Sequence, residues 1–212
     1  MAEDVKGLTA RRPNRREVAA AETRREILRA ARRLFAEHGF AGTPVQRIAE
    51  EAGVAVQTIY SSVGSKSALV LALADLIDEE AGIPALNADI SQQADPRQLI
   101  AGAVRLTRQL NERCGDILDV LFSAAPADPD AAALTAEGMR RHGQGASQGA
   151  RRLAALGALA PGISPERAAA VIAMMTSPAS WRQLTQRSGW SFGETETWLT
   201  ASLTQLLLHS SR

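Results

Sequence analysis

A chain of 212 residues with 45% hydrophobic and 22% charged residues is long enough to bury one large core or two small ones, so it needs no disulfide staples. Its single cysteine, Cys114, excludes an intramolecular disulfide, and with no charged-then-apolar leader before the first helix the expected compartment is the reducing cytoplasm. The net charge of +1 divides unevenly: residues 1–66 hold 12 Lys plus Arg against 8 acids, and residues 67–212 hold 12 against 15, so a basic front that suits a polyanion precedes an acidic rear.

β-Branched residues are sparse, no strand-like alternation occurs, and alanine and leucine recur at spacings of three and four, which predicts an all-α chain. Residues 1–20 are polar and basic, lack an apolar period and contain Pro13, and are expected to form a flexible arm. The first helix is expected over 24–38, with Thr23 and Glu26 as a capping box, Ile27, Ala30, Ala31, Leu34 and Phe35 as its apolar stripe, and Gly39 as its stop. Thr43 is expected to cap a second helix that has Pro44 at its first position and ends at Gly53. A short third helix over 55–62 follows, and a fourth starts at Ser65-Lys66 and runs through Leu69, Val70, Leu73, Leu76 and Ile77.

A linker is expected from Gly82-Ile83-Pro84 to about 95, then helices near 96–112, 116–124, 130–158, 165–188 and 192–209. Ser164-Pro165 and Ser191 with Glu194 mark two of the starts. The uncharged stretch Ala168 to Trp181 contains Pro178 and is too short for a membrane helix, so no bilayer span is expected.

A helix, a short helix ending in Ala52-Gly53-Val54, and then Ala55-Val56-Gln57-Thr58-Ile59-Tyr60 is the order a helix-turn-helix requires. Glycine permits the tight turn, while Val54 and Ile59 pin the two helices together. This leaves Val56, Gln57, Thr58, Tyr60 and Ser61 near the outer face of the helix that enters a major groove. Gln57 matches adenine N6 and N7, Val56 a thymine methyl, and Thr43, Thr58, Tyr60 and Lys66 are candidates for phosphate.

The run Ile48-Ala49-x-x-Ala52-Gly53-Val54-x-x-x-Thr58-Ile59-Tyr60, followed by Ser65-Lys66-x-Ala68-Leu69, resembles the TetR family of bacterial regulators from about Thr23 to Leu73. Gly189-Trp190-Ser191 with Trp198-Leu199 resembles the final helix of many actinobacterial members. The sequence departs from the family at Ala55, where a serine is usual, and at Ser62-Val63, where an aromatic pair is common. The resemblance implies a repressor that a small-molecule effector releases from a palindromic double-stranded DNA operator. Its implied architecture is an arm (1–20), a three-helix helix-turn-helix domain (21–66), and a linking helix leading into a helical effector-binding and dimerisation domain (67–212). It carries DNA contact over to Thr43, Gln57, Thr58, Tyr60 and Lys66, with Ser61 and Ser62 as further candidates. The arm offers Arg12, Arg15 and Arg16, beside Arg11, either to a flanking minor groove or simply to solvent.

The resemblance further implies that the last two long helices pair in a homodimer. Apolar rows supply such a seam: Val171, Met175 and Leu184 on one helix, and Trp198, Leu199, Leu203, Leu206 and Leu207 on the other; the same rows also suit the chain's own core. Gly138, Gly143, Gly145, Gly149 and Gly157 weaken the helix expected over 130–158, either to let neighbours approach or to let it yield around an effector. Leu106, Leu110, Phe122, Met139, His142, Met174 and Trp181 are the expected pocket lining.

No catalytic residue, cofactor or metal site is expected: the chain has three histidines, one cysteine and no metalloprotease, nucleophile-elbow or phosphate-loop motif. A redox role for Cys114 beside Arg113, and a helical adapter that binds protein and no DNA, are the competing readings.

Overall fold

The computed structural model describes residues 14–209, which form an all-α protein. Helix α1 spans Arg15–His38 and starts earlier than expected. Asn14 accepts from the Glu17 N–H (2.9 Å) while the Glu17 carboxylate accepts from the Asn14 N–H (2.8 Å), a capping box nine residues upstream of the expected one. Thr23 therefore lies inside the helix, its hydroxyl donating to the Ala19 carbonyl. The early turns are exposed, so no apolar period marked them, and the arm expected over 1–20 is helical from Arg15 onward.

Helix α2 (Val45–Glu51) and α3 (Val56–Ser62) flank the tight turn at Gly53, whose φ of 65° favours a residue without a Cβ. Neither helix has a side-chain cap; α2 begins after Pro44 and α3 after Ala55. Ala55 already has the extended backbone of an N-cap (φ −71°, ψ 147°), so Ala55→Ser is expected to raise stability by about 1 kcal/mol in thermal unfolding. Unchanged or lower stability would show that α3 gains nothing from a capping hydroxyl.

Helix α4 (Lys66–Ala74) is capped by Ser65, and the chain keeps right-handed helical dihedrals through Asp75 and Leu76 into α5 (Ile77–Glu80). Gly82, at φ 65°, ends this linking unit. The expected linker is instead helix α6 (Ile83–Gln92), which packs on α7 (Pro96–Ala124) at Gly102, where a Cβ would come within 2.7 Å of Ile90 Cγ1. The gap expected near 113–115 appears as a kink in α7 at Cys114 (φ −127°, ψ 15°).

Helix α8 (Pro129–Ala155) is continuous, and a Cβ at Gly138, Gly143, Gly145 or Gly149 would meet open space. Those glycines do not serve close packing. The helix expected over 165–188 divides into α9 (Pro165–Met175), α10 (Pro178–Arg182) and a π-helical turn (Gln183–Arg187), because Pro178 has no N–H to continue the ladder. Asp95-Pro96, Asp128-Pro129, Ser164-Pro165 and Ser177-Pro178 each pair a capping side chain with a proline at the first position. Helix α11 (Phe192–Leu207) starts with the expected Ser191–Glu194 capping box.

Two apolar cores form. One joins Ile27, Phe35, Ile48, Ile59 and Leu69 to Ile117, Val120 and Leu121, so the helix-turn-helix module and the kinked half of α7 share it. The other holds Leu99, Val104, Leu153, Ile172, Trp181, Leu199 and Leu203. Among the described residues no helix is long and apolar enough to cross a membrane.

Candidate nucleic-acid interface

Helix α3 turns Ile59 wholly inward and Gln57, Tyr60 and Ser61 outward, with Tyr60 half exposed. Thr58 and Ser62 are half-buried and, with Ser61, line a groove completed by Ala20, Ala21, Thr23 and Arg24 of α1. Val56 is partly covered by the first core, which limits what it presents to a base. Arg24, which sequence reasoning missed, donates from Nη1 to the Ser62 carbonyl (2.9 Å) and so fastens the end of α3 to α1. Its signal was an arginine one turn ahead of the apolar stripe of α1.

Two of the expected contact residues have partners within the chain itself. Thr43 is fully buried, and its hydroxyl donates to the carbonyls of Leu34 (3.1 Å) and Gly39 (2.8 Å), closing the end of α1 instead of facing phosphate. The Lys66 ammonium lies 4.4 Å from the centroid of the Phe40 ring, and burial lowers its pKa. Its charge is directed at the ring and not straight outward. Arg15 and Arg16 are exposed on the first turn of α1, whereas Arg12 lies outside the described residues.

The expected pocket residues do not converge. Trp181 is fully buried, stacks on Phe192 (centroids 6.0 Å apart) and donates from Nε1 to Thr107 Oγ1 (3.1 Å). His142 Nε2 pairs with the Ala173 carbonyl (2.9 Å), Met139 and Met174 are exposed, Leu110 packs on the first core, and Leu106 is half-buried. Phe122 lies under the Arg182 guanidinium. A cleft does occur between α7, α10, the π-helical turn and α11, but of the seven residues only Trp181 lines it, alongside Asn111, Gly115, Asp119, Arg182, Gln186 and Phe192. Arg182 donates to Asp119 there (2.7 Å).

The expected seam is likewise redistributed. Met175, Leu199, Leu203 and Leu207 are buried in the chain's own second core, with Val171 and Leu184 packed against it. What remains outside is Trp198, held edge-on by Trp190 at 5.6 Å, with Leu206 and Met174. The three- and four-residue spacing was correct; the direction each row faces depended on neighbouring helices.

Cys114 is fully buried, and burial together with the Glu80 carboxylate pushes its thiol up to about 11 despite Arg32 and Arg113. This opposes the low-pKa redox reading. A thiol reagent near pH 8 is expected to leave the native chain untouched and to modify one thiol per chain after denaturation; rapid modification of native protein would overturn the assignment. Among the described residues no group of His, Cys, Asp and Glu is placed to hold a metal ion.

Residues 27–73 match the family model for bacterial regulatory proteins of the tetR family. A 52-residue segment is 48% identical to the HTH-type transcriptional repressor AcnR of Corynebacterium efficiens, covering 24% of this chain and 28% of that protein. The chain thus matches little more than a quarter of this curated relative's length. The whole fold is similar to that of NalD, the secondary repressor of the MexAB-OprM efflux pump in Pseudomonas aeruginosa, with a TM-score of 0.73 and 19% identity over 92% of this chain and 100% of NalD. A Saccharomonospora viridis protein solved in complex with choline aligns with a TM-score of 0.71 and 19% identity over 90% of this chain and 100% of its own. The matched family and the named repressors are regulatory proteins, not enzymes. Residues 27–73 thus match a tetR-type helix-turn-helix, and the helical fold that continues behind it is similar to that of NalD.

Proposed function

We propose that this protein is a DNA-binding transcriptional repressor that acts in the cytoplasm as a homodimer and is released from a palindromic operator by a small-molecule effector. The observation that carries the reading is α3: Ile59 anchors it from behind, and Gln57, Tyr60 and Ser61 stand outward on a helix too short to do more than present them. Gln57 reads adenine, and Thr58, Tyr60, Ser61 and Ser62 position the backbone, with Arg15 and Arg16 reaching phosphate beyond the groove.

The exposed Trp198, Leu206 and Met174 support dimerisation, since three large apolar side chains left in water on the last helices are offset by pairing with a second copy. The cleft lined by Asn111, Gly115, Trp181, Arg182 and Phe192 has room for about one water molecule as it stands, so it takes an effector only in a more open state. The choline complex of a protein with the same fold supports a small-molecule effector without identifying it. Release requires that the effector favour a state whose two recognition helices no longer fit half-sites about 34 Å apart.

The test is selection of randomised duplex DNA by the purified chain, followed by sequencing. An enriched palindrome with steep salt dependence is expected. No enrichment at low salt overturns the reading in favour of a protein-binding adapter.

A further inference from the structure

The join between the DNA-reading module and the rear bundle is mostly apolar: Ile27, Leu28, Leu34 and Phe35 of α1 share one core with Ile117, Val120, Leu121 and Ala124 of α7. Apolar burial is non-directional and leaves two packed surfaces free to slide or tilt by small amounts. Two polar ties break that pattern, and the larger is made by Arg32. Arg32, on the α1 of the reading module, sends its guanidinium into the rear domain and uses four donor contacts there. Nε and Nη2 grip the Asp116 carboxylate at 2.5 and 2.8 Å, Nη1 reaches Glu80 Oε2 at 2.7 Å, and Nη2 also meets the Arg113 carbonyl at 2.8 Å.

The acceptors lie on both sides of Cys114, where α7 leaves helical geometry, and on α5 at the end of the linking unit. Arg113 in turn donates to the Glu80 carbonyl at 3.2 Å, so the two acceptor elements are tied to each other as well as to Arg32. A planar fork holding a carboxylate at two points fixes angle as well as distance, which a lysine or an apolar contact cannot do. A second polar tie lies on the other flank: Ser67, next to the first residue of α4, donates to Asp128, whose other oxygen caps α8 through the N–H groups of Asp130 and Ala131.

We propose that Arg32 is a positioning residue for DNA recognition: its clamp across the α7 kink sets the angle at which the reading module sits on the rear domain, and so the separation of the two recognition helices in a dimer. The inference rests on the proposed function for its DNA consequence, but the angle itself belongs to a single chain. Asn111, Gly115 and Asp119 of the cleft lie on the same kinked stretch of α7 as the acceptors of Arg32. The clamp joins residues 48 and 84 positions apart in the chain.

The experiment uses the full chain as wild type, Arg32→Met and Arg32→Lys. Spin labels at Glu50→Cys on α2 and Gln144→Cys on α8, both exposed, in a Cys114→Ala background diluted with unlabelled protein, report the intrachain distance by pulsed electron resonance. A narrow distribution is expected for wild type and a broadened or displaced one for both variants. In parallel, the selected operator is offered with its half-sites moved apart or together by single base pairs. The wild-type preference for one spacing is expected to fall by about tenfold in the variants while binding to an isolated half-site is kept. A purely structural role lowers the melting temperature and weakens every spacing alike. Unchanged distance distribution and spacing preference overturn the proposal. If Arg32→Met fails to fold, Arg32→Lys, which keeps the charge and the stem, decides it. If wild type selects no palindrome, the repressor reading fails, and the label pair alone still decides whether Arg32 sets the angle.

Discussion

Replacing Gln57 and Tyr60 together by alanine is expected to abolish sequence-selective DNA binding while leaving thermal unfolding within about 0.5 kcal/mol of wild type. Both side chains stand on the outer face of α3, Gln57 exposed and Tyr60 half exposed, so truncating them leaves the core behind Ile59 intact. A glutamine that bonds adenine N6 and N7 contributes about 1–3 kcal/mol of discrimination, and a dimer counts each loss twice. In the proposed reading Tyr60 holds the DNA backbone and carries no sequence content, so Tyr60→Ala alone is expected to weaken all sequences uniformly and to flatten the salt dependence. Gln57→Ala alone is expected to relax the choice of base at one position in each half-site. The measurement is the same selection repeated on the three variants; a palindrome enriched undiminished by the double variant would remove α3 as the reading element.

Trp181→Ala is expected to cost about 3–5 kcal/mol in denaturant unfolding, a large share of the roughly 5–15 kcal/mol that holds a domain of ordinary stability. Trp181 is the largest fully buried side chain of the second core, stacked on Phe192 and bonded through Nε1 to Thr107, whose own hydroxyl donates to the Val104 carbonyl at 2.9 Å. Truncation therefore opens a cavity where α7, α10 and α11 meet. Trp181→Phe keeps most of the ring burial and removes the N–H, and is expected to cost about 1–2 kcal/mol. The comparison separates volume from hydrogen bonding. A loss below about 1 kcal/mol for the alanine variant would mean that the second core can collapse around the site, contrary to close packing.

The helix-turn-helix was legible in the sequence because its determinants are local. Gly53, Val54 and Ile59 lie within seven residues, and the turn they specify decides which neighbours face out. The proline and capping pairs at Ser164-Pro165 and Ser191–Glu194 were legible for the same reason, since each acts on backbone groups two or three residues away. The start of α1 was missed for the opposite reason: its first turns are exposed, so apolar period was silent there, although Asn14 and Glu17 spelled a capping box. Helix α6 was missed because its residues are largely exposed and its seat on α7 depends on Gly102, ten residues beyond its end.

Amino-acid order alone thus determined an all-α chain, the helix-turn-helix and its outward side chains, and the periodic rows of the rear helices, because hydrogen bonding, capping and helical period are set within a few residues. Tertiary structure decided which way each row faces, sending Leu199, Leu203 and Leu207 inward and leaving Trp198 and Leu206 in water. It drew the Thr43 hydroxyl into the end of α1 and brought Arg32 to Glu80 and Asp116 across the α7 kink. Burial and ion pairing of this kind are properties of helices meeting in space, and residues 48 and 84 positions apart acquire them only when the chain closes on itself.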